Sequence, residues 1–506
     1  MKTAKEDDCP MLYHNPILKG DYSDPDVIRV GEDFYMISSS FTYFPGIPVM
    51  HSRDLVNWEL IGYAAKSLPL PRYANPAHKC GTWAPSIRYH KGTFYVYVGL
   101  PDEGIFAFTA KDPAGDWECH WVKDVSGWID PCPLFDEDGQ VYLVHGFAAS
   151  RCGINNILYA HRMSTDGLKI LDKGILVYSG ADHGDVTVEG PKWYRRGNTY
   201  WILCPAGGVK PGYQLALRSD SVFGPYTKRI VLSQGSTDIN GPHQGAWFDD
   251  GKGHDWFIHF QDIGAYGRVP HLQPVDWSDG WPVMGNAGEP VAEGDTFLPA
   301  CPMSIPASDS FSECIGLQWQ FQANPNPAWY SLRHPGLRLY AYPADTLFQA
   351  GQFLSQLMQA YTFDMDAVIT FRPEDGDMAG VGMMAYPYHY LGWEKDRLVL
   401  RRGDITEFDR SIPERVEEVQ LAEMPTKGNR LRLRLHVENG FMRFGAAPEG
   451  QEIQYIGETI PLSAGGWTGA RPGIFCMNRN RRLGGYADVE AVTFTAFDGM
   501  EKGCMK

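Results

Sequence analysis

A pattern that recurs five times between residues 24 and 260 is the strongest constraint on how this chain can fold. The segments start at Asp24 (DPDVIRVGEDFYMIS), Ala84 (APSIRYHKGTFYVYV), Asp130 (DPCPLFDEDGQVYLVHG), Glu189 (EGPKWYRRGNTYWILC) and His243 (HQGAWFDDGKGHDWFIHF). Each opens with a short apolar strand, turns at a glycine (31, 92, 139, 197 or 251) and continues into an aromatic, β-branched strand. Such turns flanked by strand formers read as hairpins. Further strand-like runs follow each hairpin, among them 105–109, 157–161 and 214–218. A hairpin plus two more strands, repeated five times, predicts a five-bladed β-propeller. The 55 Gly, 36 Pro and 13% aromatic residues fit short strands joined by tight turns.

In a propeller the innermost strands line a central channel, so residues at one repeat phase converge. On this alignment Asp24, Ala84, Asp130, Glu189 and His243 share a phase, which brings three carboxylates to one cavity. Strand-start Asp and Glu also cap turns, but these three sit among Pro, Gly and apolar residues. The run Asp136-Glu137-Asp138 and the loop Asp182–Asp185 are expected to be solvated instead. Burial and like charge raise one of several crowded carboxyls, leaving an acid beside a base. Glycosidic cleavage needs such a pair. A sugar site also needs aromatic faces and donors for hydroxyls. Phe41 and Trp83 are candidates for the faces, Arg268 for the donor, and His243 for a hydrogen bond or a water-mediated cation contact.

The charge of −16 argues against nucleic acid or an anionic membrane as a partner. No apolar stretch is long enough to span a bilayer. The N-terminal segment MKTAKEDDCPMLYHNP lacks an apolar core, so the chain reads as cytoplasmic. Ten scattered cysteines, without a CxxC pair or zinc spacing, read as reduced thiols. Beyond a Gly/Pro/Ser-rich stretch at 286–313, runs of period two appear: 337–342, 367–373, 380–386, 397–404, 430–445 and 489–497. They predict an antiparallel β-sandwich. The expected domains are a propeller over 1–300, a linker over 301–316 and a sandwich over 317–506.

The blocks NPILKGDYSDPD, SSFTYFPGIPVMHSRDLVNWELIG, TWAPSIRYH, GWIDPCPLF, TVEGPKWY and GPHQGAWFDDGKGHDWFIHFQDIGAYGRVPHLQPVDWSDGWPVMG resemble glycoside hydrolase family 43, nearest to its two-domain β-xylosidase and α-L-arabinofuranosidase members. The resemblance implies a general base at Asp24, a positioning and pKa-modulating carboxylate at Asp130, and a general acid at Glu189. It implies subsite aromatics at Phe41 and Trp83, a substrate-side Arg268 and a central His243. It further implies inversion at the anomeric carbon, and a concanavalin-like sandwich that walls the cleft or binds carbohydrate, the wall being favoured because no stripe of exposed aromatics stands out. The expected activity is exo-release of xylose from xylo-oligosaccharides. The alternatives are α-L-arabinofuranosidase action on arabinose-substituted oligosaccharides, both activities in one pocket, or a non-catalytic sugar-binding propeller. A retaining fructan hydrolase would carry an N-D-P-N motif, which does not occur. No cofactor or metal ligand is expected; a structural calcium is left open, and a homo-oligomer is compatible with the sequence. Asp26 departs from the small residue that many relatives carry there.

Overall fold

The computed structural model describes residues 10–333, 336–409 and 412–497. Cys9 and Cys504 lie outside them, and the other eight cysteines are free thiols. The protein is all-β apart from single helical turns.

Five four-stranded antiparallel sheets follow one another in chain order, each pairing its strands sequentially. The first blade comprises Asp26–Val30, Asp33–Ile37, Gly46–Ser52 and Glu59–Ala65. The second starts at Trp83–His90, the third at Trp128–Phe135, the fourth at Lys192–Arg196 and the fifth at His243–Asp249. Because strand side chains alternate between faces, each blade feeds two seams. Ile202 and Cys204 pack towards the third blade, whereas Trp201 and Leu203 pack towards the fifth.

The ring closes in a way that the repeat did not announce. Glu293–Pro299, within the Gly/Pro/Ser-rich stretch at the end of the expected propeller, is a strand that pairs antiparallel with Pro10–His14. Tyr13 and Leu298 join Val27, Met36, Ala246 and Trp256 in the seam between the first and fifth blades. Asn15 rivets this closure. Its Nδ2 donates to Leu272 O (2.8 Å) and Val291 O (2.9 Å), and its Oδ1 accepts from Leu272 N (2.8 Å).

The C-terminal unit is a sandwich of two sheets. One runs from Gln320–Phe321 through the central strands Arg471–Asn478 and Asp377–Met384 to the long hairpin Arg397–Asp409 and Ile412–Pro425. The other centres on Phe363–Arg372, between Tyr486–Ala496 and Arg430–Glu438. The alternation at 430–437 is used fully: Leu431, Leu433 and Leu435 are core, while Arg430 and Arg434 pair with Glu490 and Asp366 outside. Part of the expected linker belongs to this unit. Phe311 is fully buried in its core, and Asp309 exchanges backbone hydrogen bonds with Val492.

The two units are docked by backbone as well as side chains. Phe44 and Phe321 exchange N–H···O bonds of 2.9 and 2.7 Å, and His78 stacks on Phe348 at 3.7 Å.

Candidate active site

The five blades share a backbone device at the channel. Asp24, Ala84, Asp130, Gly190 and Gln244 all have positive φ, between 35° and 56°. In the second, third and fifth blades a register shift lies at the same place. A left-handed residue there breaks the strand alternation, so that it and its predecessor can both face the cavity. For a residue with a Cβ this costs about 1–2 kcal/mol, a strain typical of functional sites.

This device corrects the sequence alignment. Glu189 and His243 do not share the phase of Asp24 and Asp130; they stand one residue earlier, in phase with Trp83. The left-handed position of the fourth blade is Gly190, whose φ is +54° and where a Cβ would lie 2.3 Å from Gln244 Oε1. Its free N–H donates to Asp130 Oδ2 at 2.7 Å. The cavity therefore holds two tiers of side chains: Asp24, Asp130 and Gln244 from the strained positions, and Trp83, Glu189 and His243 from the positions before them.

All seven residues singled out from sequence (Asp24, Phe41, Trp83, Asp130, Glu189, His243 and Arg268) line one cavity of about 200 Å3. Asp24 is buried. Its Oδ2 accepts from Ser39 Oγ (2.6 Å) and Ser23 Oγ (3.0 Å), and its Oδ1 faces Arg268 Nη1 at 3.6 Å. Arg268 Nη1 also donates to Ser23 Oγ (3.1 Å). Asp130 is buried against the Gly190 N–H and Gln244 Nε2. Burial, then the negative charges of Glu189 and Asp24, push its carboxyl up to about 7, against the pull of the Gly190 N–H and Lys192. Between the ordinary carboxylate range and about 7, Asp130 thus keeps its proton in the folded protein. Glu189 is the most open of the three, its side chain 27% exposed, and shares a 2.8 Å hydrogen bond between Oε1 and His243 Nε2.

Phe41 and Trp83 stand together on one wall, ring centroids 6.4 Å apart. Arg151 lies over Trp83 at 5.1 Å and is fixed by Asp102 and Lys79 O. Trp467, which the sequence reading missed, completes this wall from the sandwich. Its ring meets Trp83 edge-on at 4.7 Å, and Lys79 Nζ sits 4.1 Å over it. The signal was present as a lone indole among glycines, GGWTG, outside any run of period two.

Asp26 turns away from the cavity. Its Oδ2 takes Arg88 Nη1 and Ile87 N, both at 2.9 Å, with Lys192 at 3.6 Å, so it braces the first, second and fourth blades. Two groups expected to be solvated are buried anchors. Asp136 binds Arg195 Nη1 (2.5 Å) and Tyr200 OH (2.7 Å). Asp185 binds Tyr178 OH (2.5 Å), Tyr213 OH (2.8 Å) and Lys228 (2.7 Å), holding the loop that leads to Glu189. Charge runs mark turns, but one member of each run folds inward to satisfy partners that the local sequence does not show.

As for a cation, His243 Nδ1, Gln244 Oε1 and Asp26 Oδ1 are buried without a hydrogen-bond partner. Among the described residues no cluster of three His, Cys, Asp or Glu has metal-holding geometry.

Residues 13–282 match the Glycosyl hydrolases family 43 domain, and residues 308–495 match the Beta xylosidase C-terminal Concanavalin A-like domain. A Xylanibacter ruminicola protein with a provisional β-xylosidase description is 37% identical over 481 residues, covering 91% of this chain and 85% of its own length. A β-xylosidase from Formosa agariphila is 30% identical, covering 96% and 90%. A non-reducing-end α-L-arabinofuranosidase from Bacteroides ovatus is also 30% identical, covering 96% and 95%. A solved Bacillus licheniformis family 43 structure superposes with a TM-score of 0.84 at 25% identity, covering 96% of this chain and all of the other. Strained carboxylates in a walled propeller cavity, a matching sandwich and relatives of nearly full length lead to one assignment: the chain belongs to glycosyl hydrolase family 43, and it is a glycoside hydrolase.

Proposed function

We propose that the protein is an inverting exo-β-xylosidase that releases xylose from the non-reducing end of xylo-oligosaccharides. The observation that carries this reading is the cavity. It is small, it holds three carboxylates, and Trp467 of the second domain closes one side. Such a cavity suits one terminal pentose rather than the middle of a polymer.

The roles follow from the surroundings. Asp24 is the base: two serine hydroxyls fix Oδ2, leaving Oδ1 beside Arg268 to take a proton from the attacking water. Glu189 is the acid, the carboxyl most open to a leaving group, oriented by His243. Asp130 is the third carboxylate; it feels the charges of both Glu189 and Asp24 and lines the same cavity, where it meets sugar hydroxyls. In the transition state water attacks the anomeric carbon as its proton passes to Asp24. The glycosidic C–O bond breaks, and the leaving oxygen takes the proton of Glu189.

The second reading, α-L-arabinofuranosidase action in the same pocket, is favoured by the Bacteroides ovatus relative of that name. Parallel assays on nitrophenyl β-D-xyloside and nitrophenyl α-L-arabinofuranoside separate the two. Proton NMR of the first-formed sugar is expected to show the inverted anomer. Retention of configuration overturns the single-displacement mechanism.

A further inference from the structure

One buried carboxylate outside the three described above joins the two domains at the pocket. Asp21 lies on the connection that leads to Asp24. Its Oδ1 accepts the backbone N–H of Arg268 at 2.8 Å, and its Oδ2 accepts the backbone N–H of Gly469 at 2.8 Å. Arg268 follows the propeller loop 262–267; Gly469 ends the sandwich turn that carries Trp467. Ala470 N donates to Ala265 O at 2.7 Å beside this pair. The loops meet so closely that side chains are excluded. A Cβ on Gly267 would lie 2.5 Å from Asp21 Cγ, and one on Gly469 would lie 2.8 Å from Gly267 N. Nothing in the acid–base chemistry uses Asp21. A fully buried carboxylate is costly unless its hydrogen bonds do something that neutral contacts could not.

We propose that Asp21 is a positioning residue that sets the pocket's outer wall, clamping the Trp467 loop of the sandwich onto the Arg268 loop of the propeller. The inference rests on the glycosidase reading only for what the wall encloses; the clamp itself has its own readout. Two N–H donors need two acceptor oxygens. An amide at this position keeps one and turns an NH2 towards the other donor, so Asp21→Asn opens the clamp with little change in volume.

The test combines kinetics with a spectrum. Asp21→Asn is expected to raise KM for nitrophenyl β-D-xyloside about tenfold while kcat stays within about threefold, the pattern of a loosened binding wall rather than a lost catalytic group. Gly469→Ala, which pries at the same contact from the sandwich side, is expected to reproduce this. In a Trp467→Ala background, Asp21→Asn is expected to add less than about threefold, since coupled residues are not additive. Additive effects, or an unchanged KM in both single variants, overturn the clamp. The near-UV circular dichroism of the Trp83–Trp467 edge contact, taken as wild type minus Trp467→Ala, reads the wall without substrate. Its loss in Asp21→Asn supports the clamp, and its persistence overturns it. Failure of the functional reading shows up differently, as wild-type protein that cleaves neither nitrophenyl glycoside.

Discussion

The two carboxyls assigned to acid and base act at different atoms of one bond, and substrates with different leaving groups tell them apart. Glu189→Gln keeps a partner for His243 but has no proton to give. Its loss should be about 10²–10⁴-fold on xylobiose. It should be clearly smaller on nitrophenyl β-D-xyloside, whose leaving group departs without help. Asp24→Asn removes the base, which both substrates need, so it should fall equally on both. Equal losses for Glu189→Gln on the two substrates would remove it from the acid role. Asp130 makes a separate prediction about stability. Between the ordinary carboxyl value of 3.8 and about 7, the folded protein holds a proton that the unfolded chain has released. Stability from this group therefore falls as pH rises through that window. Asp130→Asn should melt higher than wild type above pH 7, the gap closing as pH falls to 4, measured by scanning calorimetry at each pH.

Among the strands, those with regular alternation were legible from sequence and those whose partners are remote were not. Hairpins such as Thr93–Leu100 with Trp83–His90 announce themselves by a glycine turn between β-branched runs. The closing strands Pro10–His14 and Glu293–Pro299 are short, and neither carries its partner nearby. The phase slip at Glu189 was hidden for a related reason. A positive φ is visible in sequence only when glycine supplies it, and Asp24, Ala84, Asp130 and Gln244 are not glycine. Asp24, Asp130, Glu189 and His243 nonetheless reach one cavity, because the repeat put them within a residue of their proper place; Phe41, Trp83 and Arg268 join them there from the blocks that carry the family resemblance. The closure also yields a measurable cost. Asn15→Ala leaves the Leu272 N–H without its acceptor in a buried seam, which should destabilise by about 1–3 kcal/mol. In urea this should appear as a lower midpoint with an unchanged m-value; an unchanged midpoint would mean the closing strands hold without the rivet.

For the whole molecule, the period-two runs revealed that a sandwich exists, but not that it supplies Trp467. The interface joins backbone to backbone at Phe44–Phe321 and buries Arg471 against Tyr43, 3.8 Å from its ring. Propeller and sandwich should therefore unfold as one unit, giving a single calorimetric transition; two resolved transitions would show that the domains are thermodynamically separate. The bond between Asp21 and Gly469 spans 448 positions of sequence. A ribosome making this chain emits Asp24, Asp130 and Glu189 long before Trp467, which walls them in. The pocket's outer wall is then a late event of synthesis: nascent chains that stop short of Trp467 carry all three acids in a pocket still open on the sandwich side.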